Sequence, residues 1–152
     1  MTPLFNKLNF KGQREIVVLN APENFERELD ALEGVTVHRD ATTLDHVDFA
    51  IAFVITNAQL AAAADAILPR AQGDAVVWFA YPKGTSKRYK CEFNRDSGWA
   101  PLGAAGFEGV RQVAIDEDWS ALRFRRAAFI KTMIRDEKRA MTEHGKARVK
   151  KP

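Results

Sequence analysis

One cysteine, Cys91, stands alone in 152 residues. A lone thiol cannot close an internal bridge, so a disulfide framework is excluded and a reducing, cytoplasmic setting is expected. No stretch stays apolar for long. The longest run without a charged residue, between Asp48 and Asp65, is interrupted by Thr56, Asn57 and Gln59, short of the roughly 18 apolar residues that a membrane span needs. No membrane partner is expected. The opening MTPLFNKLNFKGQ scatters polar side chains and has no signal-peptide-like apolar stretch, which argues against export. Repeats, low-complexity tracts and Pro/Gly/Ser-rich linkers are also absent, so a single core is expected. His38, His46 and His144 form no pair with metal-ligand spacing, and no metal site is expected.

Net charge is +3, but residues 131–152 hold eight Lys/Arg against three Asp/Glu, leaving fifteen bases against seventeen acids in the first 130. The body is therefore mildly acidic and only the end is basic, which disfavours a nucleic-acid protein despite the pI near 9.1. The reading is one domain over residues 1–141 and a basic, solvated tail over 142–152. Phe129, Ile130, Met133 and Ile134, with Met141 beyond, form an apolar helical stripe leading into that tail.

Short apolar runs set the rhythm of the chain. EIVVLN (15–20) reads as a buried strand, and Pro22 then opens a helix to about Leu32 with Phe25, Leu29 and Leu32 on its apolar face. Val35 to His38 makes a second strand. FAIAFVI (49–55) is continuous enough for a central strand covered on both faces, Asn57 is placed to cap the helix that ends near Pro69, and AVVWFAY (75–81) follows as a fourth strand. This alternation implies parallel crossovers with helices on both faces. Gly109–Ile115 and Trp119–Arg126 are separated only by Asp116, Glu117 and Asp118, too few residues for a crossover, so they must form an antiparallel hairpin. The expected sheet order is second, first, third, fourth, sixth, fifth.

A mostly parallel sheet finished by an antiparallel hairpin resembles the class I methyltransferase variant of the three-layer Rossmann-like α/β fold. VVLNAPENF (17–25), VVWFAYPKGTSK (76–87) and DEDWSALRFRR (116–126) together resemble a bacterial family of small methyltransferase-like domains of unknown function, over about Lys7 to Arg126. The resemblance implies that fold and transfers no activity. A member that binds S-adenosylmethionine would be expected to carry glycines after the first strand, where backbone approaches ligand closely. Here Asn20-Ala21-Pro22-Glu23 has none, and Pro22 lacks an N–H. No cofactor is expected. Asp40, after the second strand, stands where such folds set an acid against ribose hydroxyls.

The segment Tyr81 to Lys90 follows a parallel strand at its carboxyl end, the edge where open α/β sheets bind ligands. Lys83, Thr85 and Ser86 are positioned to surround an anion, with Gly84 expected to give a sharp bend. Glycine spacing excludes a Walker loop. Tyr81, Tyr89, Phe93 and Trp99 are more simply anchors to the core than base-stacking platforms. Cys91 has cations near it but no base in its local sequence, which suits an unremarkable thiol. Asp116, Glu117 and Asp118 read as solvated turn carboxylates. In the last strand Leu122 and Phe124 share one face, while Arg123 and Arg125 share the other with Trp119 and would protect an edge or meet an acidic partner.

The cleft is expected where the first and third strands diverge, between Asn20 and Thr56-Asn57, with the lysine loop nearby. The leading functional expectation is a non-catalytic or vestigial methyltransferase-like domain that binds a small anionic ligand or a protein partner through Asn20, Asp40, Thr56, Asn57, Lys83, Thr85 and Ser86. Two alternatives remain: an S-adenosylmethionine-dependent methyltransferase with an atypical cofactor loop, and a nucleic-acid-binding module using residues 83–95 and the tail. Composition leaves the oligomeric state open.

Overall fold

The structure, a computed structural model, describes residues 3–93 and 98–130. Six strands, β1 (Glu15–Leu19), β2 (Thr36–His38), β3 (Phe49–Phe53), β4 (Val76–Pro82), β5 (Phe107–Ala114) and β6 (Trp119–Arg126), form one sheet in the order β2-β1-β3-β4-β6-β5. The order is the expected one. β1 pairs in parallel with β2 and β3, β3 in parallel with β4, and β6 antiparallel with β4 and β5. The short Asp116-Glu117-Asp118 connection forces that reversal, because only a hairpin spans so few residues.

α1 (Pro3–Lys7) and α2 (Glu23–Asp30) cover one face, and α3 (Asn57–Ile67) and α4 (Ala100–Ala104) cover the other. The step from β1 to β2 and the step from β3 to β4 run in opposite directions along the sheet, so crossovers of one hand set α2 and α3 on opposite faces. β3 and β4 are buried along their whole lengths, as continuous apolar runs in central strands require. One core packs Leu60, Ala64 and Ile67 of α3 against Val77, Phe79 and Phe124. The other packs Phe25 and Leu29 of α2 with Phe5, Leu8 and Phe10 against Ile16, Phe49 and Trp78.

Several local readings are corrected. Thr56, not Asn57, caps α3: its hydroxyl accepts from the Gln59 amide at 3.0 Å, and the Gln59 side chain reaches back to the Thr56 amide at 3.2 Å in a capping box. The opening segment, for which no element was expected, packs on the sheet. Trp78 Nε1 donates to the Leu8 carbonyl at 2.8 Å, tying that segment to the middle of the sheet. α1, α4 and a 3-10 turn at Ala41–Thr43 were unexpected. Phe129 ends a second 3-10 turn from Ala127 and Ile130 is buried. Met133, Ile134, Met141 and the 142–152 tail lie outside the described residues, as does part of the 83–95 loop.

Among the described residues no helix is long and apolar enough to cross a membrane.

Candidate functional site

At the junction of β1 and β3 the polar side chains are tied to the chain's own backbone. Asn20 takes a left-handed conformation at φ 58°, which asparagine tolerates better than most side chains. Its Nδ2 then donates to the Phe53 carbonyl at 3.2 Å, prolonging the β1–β3 pairing by one side-chain bond. Glu92 covers the start of α3: its carboxylate accepts the Asn57 amide at 2.7 Å, while its own amide donates to the Ile55 carbonyl at 3.0 Å. A carboxylate at a helix N-terminus is stabilised by the helix dipole, so this position already holds an anion from within the chain. Pro22 is the N-cap residue of α2 and makes no side-chain cap.

Asp40 is engaged locally. Its Oδ1 accepts from the Thr42 amide at 2.9 Å and the Thr42 hydroxyl at 2.6 Å, and these bonds hold its exposed carboxyl below the usual range. S-adenosylmethionine would have to lie against these groups at the strand ends. The turn there carries side chains instead of glycines, one of them bonded across the strands, and the residues do not fit the cofactor.

An open cleft of about 710 Å³ lies instead at the carboxyl end of β4, beside β5 and β6. Its volume is within the roughly 300–1,000 Å³ typical of small-molecule sites. It brings Lys83, Thr85 and Ser86 together with Lys90, Tyr81, Gln112 and Ser120. Asn20, Asp40, Thr56 and Asn57 are not in its lining, so the expected set divides between two places. Lys83 is half-buried, its amide donates to the Asp118 carbonyl at 2.8 Å, and its ammonium has no partner among the described residues.

Ser86 departs from its expected role as a free donor. Its hydroxyl donates to Asp118 Oδ1 at 2.9 Å and accepts the amides of Arg88 and Tyr89, so its one proton is committed to the fold. Asp118 is accordingly buried, not solvated, and fastens the lysine loop to the hairpin. Gly84 is not in the left-handed region, and a Cβ there would meet open space. The bend comes from the Lys83–Ser86 turn itself, closed by the Ser86 amide on the Lys83 carbonyl at 3.0 Å.

The loop aromatics are anchors. Phe93 and Trp99 pack edge-on at 5.1 Å, Tyr81 lies 5.6 Å from Trp99, and Tyr89 rests 5.0 Å from Trp119. Burial pushes the Cys91 thiol up, and the neighbouring Glu92 charge adds to the shift. Leu122 and Phe124 join the α3-side core, as the alternation requires. Arg125 is paired with Asp74 through two bonds of 2.9 and 2.6 Å. Arg123 faces Arg111 across the hairpin, and its pKa is lowered by burial and by the charges of Arg125 and Arg111.

Sequence reasoning missed Gln112 and Ser120. Ser120 reaches the cleft because it pairs with Tyr81 in the β4–β6 register, and Gln112 because its amide donates to the Tyr81 hydroxyl at 2.9 Å. Each looks like an ordinary polar residue in an alternating strand. Only the pairing marks them.

No protein-family model and no curated protein matches the chain. Among solved structures, LepI in complex with SAM superposes with a TM-score of 0.50 at 13% identity, over 81% of this chain and 39% of that one. A protein of the NADB-Rossmann superfamily from Streptococcus agalactiae gives 0.49 at 13% identity over 83% and 68% of the two chains. The ribosomal protein L11 methylase of Lactobacillus delbrueckii subsp. bulgaricus gives 0.49 at 9% over 81% and 76%. The domain has a Rossmann-like α/β fold. More narrowly, its sheet carries one antiparallel strand, β6, between β4 and the edge strand β5, as in the methyltransferase-like variant.

Proposed function

We propose that this methyltransferase-like domain is a non-catalytic binding module that takes a small anionic ligand in the cleft beside β4. The observation that carries the reading is Lys83, a half-buried residue on the cleft whose ammonium is unpartnered among the described residues. A cation in a concave site attracts an anion more strongly than the same cation on open surface, because the low-dielectric walls focus its field. Lys90 adds a second cation to the same lining. The cofactor position of the fold argues the other way for methyl transfer, since Asn20 stands after β1 without a glycine and Glu92 already places a carboxylate at the start of α3.

The test has two arms. Isothermal titration should detect no micromolar affinity for S-adenosylmethionine, and such an affinity would restore the methyltransferase alternative. A thermal-shift screen of phosphate-bearing metabolites should stabilise the wild-type chain, and Lys83→Ala should lose most of that response. At a hundredfold excess over Kd, binding adds about 2.7 kcal/mol to stability. An equal response from Lys83→Ala would remove the anion site.

A further inference from the structure

Ser120 is 6% exposed, yet its hydroxyl has no hydrogen-bond partner among the described residues. Buried polar groups in folded proteins are nearly always satisfied, so such a hydroxyl marks a place where something else supplies the partner. Ser120 lines the cleft, and its oxygen is not among the fully sealed atoms, so the cleft's contents can supply that partner. Beside it, Gln112 spends its amide nitrogen on the Tyr81 hydroxyl at 2.9 Å, leaving a carboxamide oxygen that has no partner among the described residues. Tyr81, Gln112 and Ser120 stand on β4, β5 and β6, so backbone register holds this floor in place.

The cleft therefore has two unlike ends. Its floor offers a hydroxyl that can donate or accept and an amide oxygen that accepts, with the rings of Tyr89 and Phe93 in the walls. Its rim offers the ammonium groups of Lys83 and Lys90. Lys83 lies two residues beyond Tyr81, roughly 7 Å of backbone along the strand direction, so its ammonium can stand apart from the floor groups and leave room for a ligand longer than one phosphate. Resting on the reading of the cleft as an anion site, we infer that its ligand is a nucleoside monophosphate, with the phosphate on Lys83 and Lys90 and the donor–acceptor edge of the base on Ser120 and Gln112.

Calorimetry on the full chain tests this with AMP, GMP, CMP and UMP against ribose 5-phosphate and inorganic phosphate. At least one nucleotide should bind about tenfold more tightly than ribose 5-phosphate, and Ser120→Ala should weaken that nucleotide by about tenfold while leaving ribose 5-phosphate unchanged. Lys83→Ala should weaken every phosphate-bearing probe. Bound nucleotide should also slow alkylation of Cys91, which lines the same cleft. If Ser120→Ala lowers the melting temperature by many degrees, Gln112→Met on the exposed side of the edge strand gives the same comparison. Equal affinities for nucleotides, ribose 5-phosphate and inorganic phosphate, with Lys83→Ala weakening all of them, would overturn the nucleotide assignment and leave the anion site standing. Absence of binding by every probe, or a silent Lys83→Ala, would overturn both.

Discussion

An alanine at Gly98 would set its Cβ 2.5 Å from the Cβ of Phe93, at a φ of +90° that side chains rarely adopt. Phe93 is wedged among Tyr81 and Trp99 and has little room to yield. Gly98→Ala should therefore destabilise the domain by roughly 1–3 kcal/mol, measured by urea denaturation, whereas Gly84→Ala meets no neighbour and should leave the midpoint nearly unchanged. Cys91 gives a chemical readout of the same region. Its raised pKa means that the fold favours the neutral thiol, so the thiolate is scarcer at neutral pH than in free cysteine. Iodoacetamide should react more slowly with Cys91 than with free cysteine at pH 7, and the rate should keep climbing at pH values where free cysteine has levelled off. A plateau at lower pH than free cysteine would mean that Lys87, Arg88 and Lys90 outweigh burial.

Between elements, the cap of α3 and the turn that follows it depend on a side chain from the far end of β6. Arg126 donates to the Ala71 carbonyl at 3.1 and 2.8 Å and to the Leu68 carbonyl at 3.3 Å, and its guanidinium lies 4.7 Å from the centre of the Phe107 ring. The last carbonyls of a helix have no partner within it, and a cation there also suits the dipole. Arg126→Met keeps the apolar stem and removes the donors, so it should cost about 1.5–3 kcal/mol of unfolding free energy by urea titration. The lysine loop is fastened in a similar way, through Ser86 and Lys83 onto buried Asp118. A turn acid that looks solvated in sequence thus becomes the peg that shapes the rim of the cleft.

Across the whole molecule, the strand order and the two-faced core follow from features that are local in sequence. The continuous apolar runs at 49–55 and 75–81 mark the central strands, and the three-residue turn at 116–118 fixes the antiparallel pair. What stayed hidden depended on partners far apart in the chain. Phe5, Leu8 and Phe10 enter the core because the sheet offers Trp78 and Phe49 beneath them, and no helical period of useful length announces it. The candidate site shows the same division. Lys83 and Thr85 were legible because a polar loop after a parallel strand must lie at the ligand-binding edge of the sheet. Ser120 and Gln112 were not, because their place depends on which residue each meets across β4, β5 and β6. The class of fold and the order of its strands could be read from the chain alone, since periodicity and connection length are properties of neighbours in the chain. The fold had to form before Asn20 could bond across to β3, Glu92 could cap α3 and a cleft could open beside β4, since these depend on hydrogen bonds between residues more than thirty positions apart.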